Sequence, residues 1–115
     1  MGSVTLQLAG GVMSNYCLHA TIKVKHGKLQ QFVEAYEKQV PVLEGYGWKL
    51  VGGWTNVFGR VYTVVNLWEI PGADSFLETS AKWRDTPAGQ AFRAVTAEVV
   101  EEEVAFLMRK LPYSR

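Results

Sequence analysis

The ten residues from Val61 to Ile70 constrain the chain most. They are rich in β-branched, aliphatic and aromatic side chains, which marks a strand. In strand alternation Tyr62, Val64, Trp68 and Ile70 fall on one face, and Val61, Val65 and Leu67 on the other. The stretch from Val99 to Leu111 behaves the same way, with Val100, Val104, Phe106 and Met108 opposing Val99, Ala105 and Leu107. Apolar surface left in water costs about 25 cal/mol per Å². Strands of this kind must therefore be covered on both sides.

The chain has 115 residues, room for one domain and one core. Tyr16 to Lys25 alternates with period two and predicts a strand, with Cys17, His19, Thr21 and Lys23 on one face. Leu29, Phe32, Val33, Tyr36 and Val40 recur at helical spacing. That helix ends near Pro41 or runs one turn further to Glu44, ahead of Gly45 and Gly47. Trp48 to Phe58 reads as a strand in which Gly52-Gly53 marks a bulge or a close backbone approach. Gly59-Arg60 is a hairpin turn into the strand Val61–Ile70. A helix capped by Asp74 or Ser75 follows through Trp83, and Thr86-Pro87 restarts a helix that runs to about Thr96. Val99 to Leu111 admits either helix or strand. The helical stripe breaks at Glu102 and Glu103, which favours a strand. The run Glu101-Glu102-Glu103 suits an edge strand that resists pairing with another chain.

The order β-α-β-β-α-β predicts an α+β, ferredoxin-like fold with an antiparallel sheet. Right-handed crossovers put both helical layers on one side of that sheet. The other side is apolar and the chain has no helix left for it, so a second copy packed sheet to sheet, a homodimer, is the expected cover. Residues 1–12 read as an N-terminal extension of the domain 13–115. Val4, Leu6 and Leu8 within it alternate like a short strand and are expected to pair with a neighbouring edge.

The net charge of +1 leaves no basic stripe for phosphates, so nucleic acid is not an expected partner. No apolar run reaches membrane-spanning length, and Met1–Met13 lacks the charged start of a signal peptide. A single cysteine, Cys17, forms no internal disulfide and suits a reducing, cytoplasmic setting. No metal-ligand spacing and no phosphate-binding glycine loop are present, so neither a metal nor a cofactor is expected.

The segments Leu50-Val51-Gly52-Gly53-Trp54 and Val64-Val65-Asn66-Leu67-Trp68 resemble the NIPSNAP family, in which a glycine-containing strand and a strand ending in Val-Val-His-Leu-Trp recur. Gly27 to Phe32 and Thr86 to Phe92 fit the same pattern. The resemblance covers residues 16–112. It implies the dimeric α/β-barrel superfamily, two ferredoxin-like subunits packed sheet to sheet, and makes the last element a strand. Asn66 stands where that family usually has His, Asn56 near a usual Glu, Tyr62 near a usual Asn and Gly89 near a usual Trp. Superfamily relatives include cofactor-independent monooxygenases and polyketide cyclases.

His19, mid-strand, is the candidate for acid–base work; the plainer alternative is an interface histidine. Tyr62, Asn66 and Trp68 share a face of a central strand, and with Trp54 they are the candidate ligand-binding residues. A buried Asn in an apolar strand either stitches the core to backbone or orients a ligand. The loss of a Trp-sized side chain at Gly89 predicts a void near the start of the restarted helix. The function expected is binding of a mainly apolar or aromatic small molecule between helices and sheet. Cofactor-independent cyclase, isomerase or monooxygenase chemistry is one form of it, and a non-catalytic ligand-holding or interaction dimer is the alternative.

Overall fold

In the computed structural model, which describes residues 15–114, the chain is a four-stranded antiparallel sheet with three helices. Strands β1 (Tyr16–Val24), β2 (Lys49–Thr55), β3 (Thr63–Ile70) and β4 (Val100–Arg109) lie in the order β2-β3-β1-β4. Helix α1 (Leu29–Glu44) connects β1 to β2, while α2 (Ala73–Arg84) and α3 (Pro87–Val99) connect β3 to β4. This is the ferredoxin-like topology predicted from the alternation. The strand expected over Val4–Leu8 lies outside the described residues.

Both helical connections cover one face of the sheet. Leu18, Ala20, Ile22 and Val24 of β1 and Val64, Asn66, Trp68 and Ile70 of β3 are buried there. Around Ile22, Val24, Val64 and Val99 they pack against Phe32 of α1 and Phe92 and Val95 of α3. Around Leu18, Trp68 and Ile70 they pack against Leu43, Trp48, Phe76 and Trp83. The opposite face carries His19, Thr21, Val65 and Leu67, with Trp54, Val104, Phe106 and Met108 exposed.

Several local expectations change. Of the two ends the sequence allows, helix α1 takes the later and runs through Pro41 to Glu44, since a proline in the last turn removes only one backbone donor. Helix α2 begins behind Gly72 with no side-chain cap, and Asp74 sits in its first turn, where the helix dipole favours an acidic group. Helix α3 continues beyond Thr96 to Val99 and passes into β4 with no loop; Val100 closes the helix through Thr96 O and opens the strand. A bulge opposite Lys23 and Val24 then shifts the register at Glu101, so that Val100 packs with the helix-side core and not with Val104 and Phe106.

The glycine void also fails. A Cβ on Gly89 would collide with the Trp83 carbonyl oxygen, so the start of α3 is pressed against the end of α2 and no space remains there. Thr86 ties the two together: its hydroxyl donates to Trp83 O at 2.7 Å and accepts from Gly89 N at 3.0 Å.

Candidate functional site

Cross-strand register defines the floor of the site. One transverse row on the helix side reads Gly53, Asn66, Ala20, Ala105 across all four strands. The rows flanking it are Leu50, Trp68, Leu18, Leu107 and Thr55, Val64, Ile22, Glu103. A line of small side chains between two lines of larger ones forms a trough under α1, and its one polar member is Asn66. Gly53 is part of the fit, since a Cβ there would stand 2.7 Å from Asn66 Oδ1.

Two cavities occupy the space above this floor, and Phe32 and Tyr36 line both. The first, of about 320 Å³, lies between α1 and β2–β3, with Val40, Leu50, Gly53, Val64 and Asn66 in its wall. The second, of about 380 Å³, lies between the three helices and β1–β4, and includes Trp48, Trp68, Phe76, Trp83 and Glu103. The rings pack closely: Trp48 stands edge-on to Trp68 at 5.8 Å and stacks on Phe76 at 6.2 Å.

The hydrogen bonds inside the cleft are unevenly shared. The Trp68 indole donates to the Tyr36 hydroxyl at 2.8 Å, and the Trp83 indole donates to Gln39 Oε1 at 2.8 Å. Asn66 Nδ2 and Trp48 Nε1 are buried, and neither has a partner. Those residues are 5% and 6% exposed. Burial pushes the Tyr36 phenol up to about 12; the Trp68 indole opposes the rise, the Glu103 carboxylate adds to it and the nearby Asn66 amide opposes it. Tyr36 therefore keeps its proton, and its oxygen already accepts from Trp68. Partial burial also raises the Glu103 carboxyl above its ordinary value.

The residues singled out in the sequence are not brought together. Asn66 and Trp68 both lie on the helix side of the sheet and line the cleft, Asn66 in the first cavity and Trp68 in the second. Tyr62 does not share their strand face: it precedes β3 in a left-handed conformation (φ 58°), and its ring meets His26 at 4.8 Å. Trp54 lies opposite Val65 on the open face, folded over Gly52, and only borders the first cavity. The cause is the bulge between Leu50 and Gly52, which inserts one residue and reverses the parity of the rest of β2. His19 lies opposite Leu67 and Phe106, so the sheet separates it from the cleft. Cys17 is buried on that face, and burial raises its thiol. Tyr36, Glu103 and Gln39 are cleft residues that no local signal in the sequence marks as such.

Among the described residues no cluster of His, Cys, Asp and Glu could hold a metal ion, and no helix is long and apolar enough to cross a membrane. The arrangement can enclose an apolar body and present hydrogen-bond donors to it.

A ferredoxin-like α+β domain with an aromatic cleft between helices and sheet is the class of protein these features define. Residues 19–115 match the NIPSNAP family model, and the chain belongs to that family. Its structure is similar to that of an uncharacterized NIPSNAP domain protein from Burkholderia xenovorans, with 19% identity, TM-score 0.75, and 87% of this chain and 98% of that one covered. A NIPSNAP family protein with unknown function from Agrobacterium tumefaciens matches with 18% identity, TM-score 0.76, and coverage of 86% and 90%. An antibiotic biosynthesis monooxygenase matches with 13% identity, TM-score 0.62, and coverage of 84% and 99%. At these identities the structural likeness establishes the fold. No curated protein matches the sequence.

Proposed function

We propose that the chain works as a homodimer, joined through its open sheet face, and that each subunit holds a mainly apolar small molecule in the cleft between helices and sheet. The observation that carries this reading is Asn66. Its amide is buried at the centre of an otherwise small-residue trough, and Nδ2 reaches no acceptor at hydrogen-bond distance, although it lies near enough to the Tyr36 hydroxyl to act on the phenol. An unpaired buried donor costs about 1–3 kcal/mol, which a core residue of the same size without a polar head would avoid. A ligand oxygen meeting Asn66 Nδ2 removes that cost and fixes the ligand's orientation.

Calorimetric titration with 2-acetylnaphthalene, an aromatic ketone of suitable size, tests the reading. Binding is expected, and Asn66→Leu should weaken it by about tenfold, the equivalent of one lost hydrogen bond to a buried donor. An unchanged affinity in a folded Asn66→Leu protein would remove Asn66 from the site, and no binding at millimolar ligand would remove the site itself.

Cofactor-independent proton-transfer chemistry is the second reading, and Glu103 favours it. This carboxylate lines the same cavity as Tyr36, and partial burial of its carboxyl raises it above its ordinary value.

A further inference from the structure

The unpartnered polar groups around the second cavity are mostly donors. Three indoles line it: Trp68 and Trp83 hand their N–H groups to Tyr36 and Gln39, and Trp48 Nε1 has no acceptor. Arg84, the last residue of α2, and Arg93, in the middle of α3, also line it. Neither guanidinium has an ion pair or hydrogen bond among the described residues, although Glu103 lines the same cavity. The charged side chains of the wall are therefore two cations and one carboxylate, unpaired with each other. The rest of the lining is largely aliphatic and aromatic. An occupant suited to this wall has an apolar body and an anionic, acceptor-only head.

Resting on the reading of the cleft as a small-molecule site, we infer that the second of its cavities, which Asn66 does not line, holds an amphipathic carboxylic acid, its flat apolar body against the Trp48–Trp68 walls and its carboxylate at Arg84 and Arg93. The arginine fork matches a carboxylate in shape and charge, and it stays protonated at every relevant pH. Both arginines are exposed, so they sit where an acid keeps its head near water while its body enters the cleft. A neutral ligand of the same shape would fill the cavity and leave both guanidiniums unpaired.

The test compares 2-naphthoate with 2-acetylnaphthalene, which have the same body and carbonyl and differ in charge. Calorimetry at pH 7 and low salt is expected to show the acid bound about tenfold more tightly, as charge-assisted hydrogen bonds are roughly twice as strong as neutral ones. The Arg84→Gln, Arg93→Gln double variant, altered only at exposed side chains, should bind the ketone as before and lose the preference for the acid. Equal affinity for acid and ketone in the unaltered protein overturns the inference and leaves the small-molecule reading standing. An acid preference that survives in the double variant also overturns it, because the charge would then be read elsewhere. Failure of both ligands to bind overturns the two together.

Discussion

Tyr36 shows how one side chain acquires a role that its sequence position does not announce. In the helical stripe of α1 it is one more apolar residue between Phe32 and Val40, and stripe membership predicts core packing. Its partner for the indole bond is Trp68, 32 positions away, so only the folded chain makes the phenol a buried acceptor. Asn66 is legible from the sequence because a polar residue in an apolar strand breaks a local rule, and such breaks tend to mark sites. The Tyr36 environment has a measurable consequence. With its pKa raised from 10.0 to about 12, the folded state favours the neutral phenol. The stability this contributes is complete below about pH 10 and is lost as pH rises through about 12, falling by roughly 1.4 kcal/mol for each pH unit between the two. Tyr36→Phe removes the acceptor for Trp68 Nε1 and should cost about 1–3 kcal/mol at pH 8. Urea unfolding of both proteins should show that gap narrowing between pH 10 and 12. A gap independent of pH would mean that the phenol ionises as easily folded as unfolded.

Elements are easier to find in the sequence than their parity and ends. Alternation locates all four strands, and the Thr86-Pro87 cap locates α3, because both signals are written in adjacent residues. Features that depend on one inserted residue are not written there. The bulge after Leu50 sends Trp54 to the open face, and the bulge at Glu101 sends Val100 to the core. A bulge exchanges faces without changing the hydrophobic pattern on either side of it. Glu103 reads in sequence as one of three edge carboxylates, yet strand parity sets it with Ala105 and Leu107 on the helix side. Gly89 reverses the usual ranking of glycine and alanine. Helix propensity alone would make Gly89→Ala stabilising by about 1 kcal/mol. Here the added Cβ collides with the Trp83 backbone oxygen, an atom that cannot swing aside as a side-chain end would. Overpacking of this kind costs about 1–3 kcal/mol and outweighs the propensity. Thermal unfolding should show Gly89→Ala less stable than the unaltered protein. A higher melting temperature would mean that the α2–α3 junction gives way at little cost.

The molecule as a whole is a slab of 50 × 35 × 20 Å, one layer of helices on one sheet. Two layers give one core, and the outer face of the sheet lies outside it. On that face Phe106 is 57% exposed, Trp54 55%, Met108 41% and Val104 40%, an apolar surface flanking His19 and Thr21. A second slab could meet it by the sheet face or by the free edge of β4. The edge carries Glu101, Glu102 and Glu103 in succession, and two such edges running antiparallel would bring carboxylates near one another, as edge strands do when they resist pairing. The face has no such cluster, and a two-fold axis through it would bury Phe106 and His19 of both copies. Sedimentation equilibrium at micromolar concentration should therefore give twice the chain mass of 12.9 kDa. Phe106→Glu, which places a charge at the centre of the proposed contact and touches nothing on the helix side, should give the single-chain mass and a lower melting temperature. A monomer in the unaltered protein, or a dimer indifferent to Phe106→Glu, would show that this face is covered in some other way.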